Sequence, residues 1–393
     1  MMKKILVIPS WYPTADSPAI GNFCKEQTEL VSDIFDIKVI YPRQKIVGKK
    51  AMLKRLFRPY PAAIKANLLG NVPGVQIEAT SSSFVSRNKQ VDQLVKACDL
   101  NLSQLIRDGW VPDIIHAHAT CYAGIVASAL GRQYNIPVII TEHHSLLVSD
   151  FDKELWHLYK QALESTQLVI TVSNELNKMI LMNGVNCKTA VLGNLIDEDL
   201  FKDSNTSDND VFTILFIAVP AKTKDIPTFV KSLAELKNYG VNKFQAKLII
   251  PDVPADLTLD DVKELCRRHG VIENCIFFRN LAHKEIPAMI NASDVLVSSS
   301  ISETFGLSVA EALMCGKPVI TTRSGGVEDF VTNENGQLVN IGDFKGIAHA
   351  IKRLKNGEIR TDKAAIREQM ILRFGKQAFK QRLCDTYNKF LHD

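Results

Sequence analysis

The sequence predicts an α/β protein made of two doubly wound parallel-sheet units in series. Short, continuously apolar runs alternate with longer amphipathic ones along all 393 residues. A polar, acidic stretch at residues 201–210 interrupts this alternation, which then restarts. Apolar strands separated by helices are typical of a parallel sheet that is covered on both faces. The length is sufficient for two substantial cores.

The apolar runs place the strands of both units. Predicted strands of the first unit lie at 5–8, 37–41, 113–118, 137–141, 168–172 and 189–193. Those of the second lie at 212–219, 246–251, 275–278, 294–298 and 318–322. We therefore expect a first domain over 1–200 and a second over 201–375, with 201–210 as the linker and a final helix at 376–391 that can pack on either. Ligands are expected at the carboxyl ends of the strands and in the cleft between the domains.

Composition excludes several classes of protein. Apolar residues make up 46% of the chain, charged residues 23%, and the net charge is only +4, which does not favour a general nucleic-acid binder. The eight cysteines are scattered without a CxxC pair, so reduced thiols are expected rather than a disulfide framework or a zinc module. The first apolar run ends at Pro9, too short for a secretory signal, and no run approaches the roughly 20 residues of a membrane span. We expect a cytoplasmic protein.

The most informative segment is SSISETFGLSVAEAL at 299–313, which follows an apolar strand and becomes helical. Glu303 lies in the strand-to-helix turn, and Glu311 lies about two turns into the predicted helix. The amides of Phe305, Gly306 and Leu307 would form the helix start, where unpaired N–H groups suit a phosphate. The two carboxylates could accept hydrogen bonds from hydroxyl groups at the two ends of a sugar nucleotide. Taken alone, Glu303 is better explained as a helix-dipole partner and Glu311 as a solvated helix residue, whereas the full combination of strand, turn, glycine and two carboxylates favours a ligand site.

Histidines cluster after two predicted strands. His116 and His118 end one strand, and His143 and His144 follow the next, beside Glu142. A zinc site is one interpretation, but no HExxH or similar spacing supports it. We predict no metal and a supporting or acceptor-lining role for His116, His143 and His144.

The segment RQKIVGKKAMLKRLFRPYPAAIK at 43–65 holds eight Lys or Arg and no Asp or Glu. Met52, Leu53, Leu56 and Phe57 recur in it at roughly helical spacing. A basic amphipathic segment of this kind is typical of a contact with an anionic membrane surface. A solvated helix or loop over the first sheet fits the composition equally well.

Taken together, these segments resemble the retaining glycosyltransferases of family 4, which have the GT-B fold: two Rossmann-like domains that face a central cleft. Glu303 and Glu311 match the Glu-x7-Glu motif of that family. Similar matches are PSWYPTADSPAIGNF (9–23) to the N-terminal loop, DIIHAHATCYAG (113–124) to the histidine segment, TVSNEL (171–176) and GNLIDEDLF (193–201) to the end of the first domain, and GKPVITTRSGGVED (316–329) to the strand and glycine turn after the motif helix.

The resemblance implies roles for the residues that match. Glu303 would hold hydroxyl groups of the donor sugar and Glu311 the nucleotide ribose. Lys224 and the amides at 305–307 would steady the diphosphate. His118 would contact the donor sugar or its transferring centre, and Gly21 would let the N-terminal loop approach the diphosphate.

The chain also departs from the family pattern. The family usually has a Gly-Arg pair where FIAVPAKTKDIP places Ala218 and Val219, so the arginine that helps to neutralise the diphosphate is missing. Lys222 could replace it in part, with a point charge instead of a guanidinium fork. PDVP at 251–254 replaces a Gly-Asp-Gly turn, and Arg279 stands where a glycine is common.

The resemblance implies a glycosyltransferase that retains anomeric configuration without a metal or other cofactor. The donor would be a UDP- or GDP-sugar, and the acceptor a saccharide or an undecaprenyl-type lipid-linked oligosaccharide in capsule, O-antigen or exopolysaccharide synthesis. The enzyme would lie in the cytoplasm or on the inner membrane face. Two alternatives stay open: a catalytically weak GT-B paralogue that binds a partner, and a sugar-nucleotide epimerase of the same fold.

Overall fold

The computed structural model describes residues 2–18, 20–48, 63–144, 151–204 and 211–391. The chain forms two compact units: Met1–Leu195 together with Lys380–Asp393, and Ile196–Phe379. Each unit is a sheet flanked by helices, because nearly every strand is apolar enough to be buried on both faces.

The first unit contains an eight-stranded sheet in the order β3-β4-β2-β1-β5-β6-β7-β8. Its strands are β1 (Lys4–Pro9), β2 (Asp36–Val47), β3 (Ala63–Lys65), β4 (Gly74–Ser82), β5 (Ile114–His118), β6 (Val138–Glu142), β7 (Leu168–Thr171) and β8 (Thr189–Val191). Its helices are α1 (Asn22–Leu30), α2 (Arg87–Arg107), α3 (Ile125–Tyr134), α4 (Lys153–Glu164) and α5 (Asn174–Met182). Only β3 runs antiparallel to its neighbour among these strands. The order of connections reverses between β1 and β5, where Pro9 pairs with His118.

The second unit contains a six-stranded parallel sheet in the order β11-β10-β9-β12-β13-β14. Its strands are β9 (Phe212–Ile217), β10 (Phe244–Ile249), β11 (Cys275–Phe278), β12 (Val295–Ser298), β13 (Val319–Thr322) and β14 (Gly336–Val339). Its helices are α6 (Ile226–Asn238), α7 (Leu259–Arg268), α8 (Ile286–Asn291), α9 (Leu307–Met314), α10 (Phe344–Lys355) and α11 (Lys363–Phe374). This strand order is that of a Rossmann fold, in which ligands bind where the order reverses. The reversal lies between β9 and β12.

The core of the second unit explains why these segments become strands and helices. Phe216 of β9 stacks on Phe229 of α6 with ring centroids 4.1 Å apart, and both rings are buried. Burying one such side chain contributes about 1.5–3 kcal/mol. This contact packs α6 against β9, the strand that precedes the turn at Lys222–Lys224.

A last helix, α12 (Lys376–Asn388), begins in the second unit, and its residues from Lys380 onward belong to the first. The units part between Leu195 and Ile196, whereas the linker was expected at 201–210. Phe201 is buried in the second unit, and the Arg367 guanidinium donates to its carbonyl oxygen. Because residues 202–210 are polar, the sequence carries no sign that Phe201 is held in the second unit. Residues 205–210 lie outside the described part.

The basic segment at 43–65 is not a single helix where it is described. Residues 43–47 complete β2 and pair with residues 78–82 of β4, and residues 63–65 form β3. Residues 43–47 satisfy their backbone hydrogen-bonding groups by pairing with β4, so this part of the segment is a strand and not a surface helix. The predicted apolar stripe at Met52, Leu53, Leu56 and Phe57 lies outside the described residues. Within the described part, no helix is both long and apolar enough to cross a membrane.

Candidate functional site

Two backbone connections meet where the strand order of the second unit reverses. The turn Lys222–Lys224 follows β9, and the segment that leads to the Glu-x7-Glu motif follows β12. The Ile301 N–H donates to the Thr223 carbonyl at 2.7 Å. The buried Ser299 hydroxyl lies 2.9 Å from the carbonyl oxygens of both Lys224 and Asp225. These contacts hold the lysine-bearing turn against the motif segment.

The fixed turn places Lys224 beside Glu303. The Lys224 ammonium lies 2.6 Å from Glu303 Oε1, and the Ser300 hydroxyl donates to the same oxygen at 2.7 Å. The Glu303 side chain is only 12% exposed, so solvent screens this pair less than an ordinary surface pair. The Glu303 N–H in turn donates to the Ser324 carbonyl at 2.7 Å. The structure thus brings together the two residues predicted for the sugar hydroxyls and the diphosphate.

Unpaired backbone amides follow this carboxylate. Helix α9 begins at Leu307 without a side-chain cap. In the described part of the chain, the amides of Phe305, Gly306 and Leu307 have no protein acceptor. Gly306 has a φ of +91°, and a Cβ at this position would lie 2.4 Å from Val327 Cγ1, so the turn requires glycine. Free N–H groups at a helix start are a suitable site for an anion.

Glu311 is the fifth residue of α9, a little over one turn from its start. The sequence predicted about two turns; the left-handed conformation of Gly306 delays the helix to Leu307. Glu311 Oε1 lies 3.2 Å from His283 Nε2, and its side chain is 13% exposed. The His283 ring also packs edge-on to Phe201. Sequence reasoning missed His283, because a lone histidine in a short turn carries no pattern.

Lys222 does not join the Lys224–Glu303 pair. Its N–H donates to Asp256 Oδ2 at 2.7 Å, and its ammonium, 87% exposed, lies 4.0 Å from Asp256 Oδ1. Val219, at the position of the family's arginine, is partly exposed and carries no charge. Arg279, the other unusual residue, lies 3.9 Å from Asp252. The Lys222 ammonium is thus mostly exposed and lies outside the Lys224–Glu303 pair, and its predicted contact with a diphosphate stays a prediction.

In the first unit, His118 ends β5 where that sheet's order reverses. The ring is buried, and its Nδ1 lies 3.2 Å from Nε2 of His143. Burial lowers the pKa of His118 to about 4, so the ring is neutral near pH 7. A neutral imidazole there can donate or accept a hydrogen bond without bringing a charge.

The neighbouring His116 is buried, and its ring hydrogen-bonds to two other side chains of the core. Its Nδ1 lies 2.6 Å from the Tyr387 hydroxyl, and its Nε2 lies 2.8 Å from the Thr141 hydroxyl. Both ring nitrogens therefore have protein partners, which leaves His116 a supporting role beneath His118.

Glu142 is also taken up by local hydrogen bonds. Its Oε1 accepts from the N–H groups of His143 and His144 at 2.8 and 2.7 Å. Its Oε2 accepts from the Thr120 N–H at 3.0 Å and the Tyr159 hydroxyl at 2.7 Å. Four donors satisfy this buried carboxylate, so the structure gives no support to a metal site that includes Glu142.

Gly21 immediately precedes α1 and has a φ of +77°. A Cβ there would lie 2.4 Å from the Trp11 carbonyl carbon and 2.6 Å from the Tyr12 nitrogen. Glycine is therefore required locally to pack the start of α1 against the loop after β1. The predicted approach of this loop to a diphosphate remains a prediction.

Two Rossmann-like units, each with polar side chains where its strand order reverses, form the architecture that the resemblance to GT-B glycosyltransferases predicts. A family model described as Glycosyltransferase Family 4 matches residues 82–200, and one described as Glycosyl transferases group 1 matches residues 197–371. The chain belongs to these GT-B glycosyltransferases, as the Glu-x7-Glu motif predicted.

Named relatives agree with this family. TuaC of Bacillus subtilis (strain 168), provisionally named as a teichuronic acid biosynthesis glycosyltransferase, is 23% identical over 91% of this chain and 90% of its own. The N-acetyl-alpha-D-glucosaminyl L-malate synthase of Bacillus anthracis is 26% identical over 63% of this chain and 66% of its own.

Solved structures confirm the fold. Sucrose-phosphate synthase from Thermosynechococcus elongatus has a TM-score of 0.77 at 18% identity and covers 98% of both chains. Anabaena HepE in complex with UDP has a TM-score of 0.73 at 19% identity and covers 99% of this chain and 100% of its own.

Proposed function

We propose that the second unit binds a nucleotide-diphosphate sugar and that the enzyme transfers the sugar with retention of anomeric configuration. The observation that carries this proposal is the Lys224–Glu303 pair, which lies at the strand reversal and is followed by the unpaired amides at 305–307. These groups match two parts of such a donor. The cation and the free N–H groups suit the charged oxygens of the diphosphate, and the carboxylate suits the hydroxyl groups of the sugar.

The proposed roles follow from these contacts. Glu303 accepts hydrogen bonds from sugar hydroxyl groups through Oε2 and from Lys224 and Ser300 through Oε1. Glu311 accepts from the ribose hydroxyl groups, and His283 fixes its carboxylate. The amides at 305–307 donate to the diphosphate. HepE, which has a similar fold, has been solved in complex with UDP, a nucleoside diphosphate.

In the proposed reaction, the bond from the anomeric carbon to the diphosphate oxygen breaks as the acceptor oxygen bonds to that carbon from the same face. The acceptor's hydroxyl proton passes to a departing phosphate oxygen. Lys224 and the helix amides stabilise the negative charge that develops on the diphosphate. Oriented donors of this kind commonly supply a large share of transition-state stabilisation. We propose that they allow transfer without a metal ion, and continued turnover in the presence of EDTA would support this.

The first unit would bind the acceptor and present His118 to the donor sugar. The name of TuaC, which refers to teichuronic acid biosynthesis, supports a role in cell-surface polysaccharide synthesis. We propose a saccharide or a lipid-linked oligosaccharide as the acceptor. We propose a cytoplasmic enzyme that contacts the inner membrane face through residues 43–65. Sedimentation with vesicles of anionic and of neutral lipid tests the contact: equal binding to both would contradict it.

The direct test is a thermal-shift screen of the purified chain against UDP-, GDP- and ADP-sugars, since a ligand that binds only the native state raises its stability. Stabilisation by one nucleotide class should be lost in Glu311→Ala and kept in Glu235→Ala, a control on the outer helix α6. The anomeric configuration of the product, read by NMR, then decides between retention and inversion. Equal stabilisation of both variants would remove the site assignment.

The uncharged Val219, which stands where the family has an arginine, favours one second candidate, a GT-B paralogue that binds a partner or polysaccharide without turnover. Such a protein would neither hydrolyse nor transfer any of the common nucleotide sugars. An epimerase would instead rearrange a nucleotide sugar in the absence of acceptor.

A further inference from the structure

Three potential metal ligands converge in the first unit, apart from the carboxylates and lysines of the second. Cys24, His118 and His143 each offer one ligand atom, and these three atoms lie within 4.8 Å of one another. Cys24 comes from α1, His118 from the end of β5 and His143 from the residue after β6. The sheet and the helix therefore assemble the cluster from three separate parts of the chain, which the scattered cysteine spacing did not predict.

The distances suit a small tetrahedral ion. Zinc binds imidazole nitrogen at about 2.0–2.1 Å and thiolate sulfur at about 2.3 Å, so two nitrogens on one zinc are about 3.3 Å apart. The His118 Nδ1 to His143 Nε2 distance is 3.2 Å, already at this spacing. Without an ion, one of these nitrogens must donate its proton to the other. A zinc ion between them would replace that proton and needs the thiol to approach by about 1 Å.

The surroundings favour a soft ion over a hard one. Cys24 and His118 are buried, with 0% and 1% of their surface exposed, while His143 is partly exposed. Phe23 packs on the His143 ring with centroids 4.8 Å apart. The nearest buried carboxylate along the chain, Glu142, is already satisfied by four donors. One sulfur and two imidazole nitrogens select zinc and its neighbours in the transition series over magnesium or calcium.

We propose that Cys24, His118 and His143 form a binding site for zinc, with the fourth position open to water beside His143. This ion is not a cofactor of transfer. It occupies His118, and zinc therefore inhibits the enzyme; this consequence rests on the proposed role of His118 at the donor sugar.

Cobalt(II) is the probe, because it reports its ligands by absorption. Titration of the metal-free full chain with Co²⁺ should give visible ligand-field bands of a tetrahedral site and a near-ultraviolet band from thiolate to cobalt. Both should saturate at about one ion per chain and disappear on addition of Zn²⁺. Cys24→Ser should lose the thiolate band, whereas Cys187→Ser, which removes a cysteine elsewhere in the same unit, should keep it. His143→Gln, at the least buried ligand, should weaken all bands and decides the matter if Cys24→Ser does not fold.

Absence of bands at one equivalent, or a spectrum unchanged by Cys24→Ser, would overturn the site. Zinc inhibition of transfer is measured separately in the wild type and in Cys24→Ser, which should resist it. If the cobalt spectrum behaves as expected but zinc does not inhibit, the metal site stands and the proposed role of His118 fails.

Discussion

Lys224→Ala is expected to slow sugar transfer by about two to three orders of magnitude while changing nucleotide affinity little. Val219 carries no charge, and the Lys222 ammonium is 87% exposed and lies outside the Lys224–Glu303 pair. We therefore expect Lys224 to supply a large part of the positive charge available to a leaving diphosphate. Removing one preorganised group that stabilises developing charge typically costs about 2.7–4 kcal/mol, or a factor of 10² to 10³ in turnover. We expect a value near the upper end of this range, because no arginine shares the task.

Folding should be affected much less. The pair is partly exposed, with 27% of the Lys224 side chain and 12% of the Glu303 side chain accessible. An exposed ion pair contributes at most about 1 kcal/mol and a buried one more; this pair lies between the two cases, and Ser300 still donates to the carboxylate after the substitution. The variant should therefore remain folded at the assay temperature.

The assay is single-turnover transfer with saturating donor, together with calorimetric affinity for the nucleoside diphosphate. Lys345→Ala, an exposed lysine of α10, is the matched control and should behave as the wild type. Lys224→Arg retains the charge with a different geometry and should recover part of the rate. A wild-type rate in Lys224→Ala, or a loss seen entirely in affinity, would refute the reasoning.

Three other predictions concern the same two regions. Glu311→Ala should weaken nucleotide binding about 10- to 100-fold, because hydrogen bonds to a charged group contribute about 1.5–3 kcal/mol; calorimetry measures it, and unchanged affinity would contradict the ribose assignment. Gly306→Ala should lower the unfolding free energy by about 1–3 kcal/mol, since a Cβ would lie 2.4 Å from Val327 at a positive φ; urea unfolding of Gly357→Ala, at an open position with a similar φ, isolates the contact. The depressed pKa of His118, about 4, means that the native state binds this proton less readily than the unfolded state. Its contribution to stability is thus complete above about pH 6.5 and is lost as the pH falls towards 4. His118→Gln should show a shallower decline in unfolding free energy between pH 7 and pH 4.5 than either the wild type or the control His349→Gln.

The sequence predicted the fold well because a long alternation of apolar runs with amphipathic segments fits few architectures besides a parallel sheet covered by helices. It also predicted the elements that carry Lys224, Glu303 and the amides at 305–307, since strand, turn and glycine follow one another locally. It missed β3, β4 and β14. The strand that pairs with 43–47 is mixed in polarity, and the other two are only three and four residues long.

Contacts between distant parts of the chain were beyond prediction from the sequence. His283 reaches Glu311 across 28 positions, and Cys24 meets His118 only after α1 packs on the sheet. The linker was placed too late because local polarity outweighed a single buried aromatic, Phe201. In each case the interaction depends on tertiary packing and produces no periodic pattern in the sequence.

The path of α12 has a consequence for anyone who wishes to dissect or recombine this enzyme. Tyr387 bonds His116 and packs on Phe35, and the Lys380 ammonium contacts the Asp33 carboxylate at 2.6 Å. A fragment that ends at Leu195 would expose His116, Phe35 and Asp33. It would also lose the Tyr387 contact with His116, the residue that packs beside His118. Chimeras that exchange the amino-terminal half must therefore transplant residues 380–391 with it, as a discontinuous module.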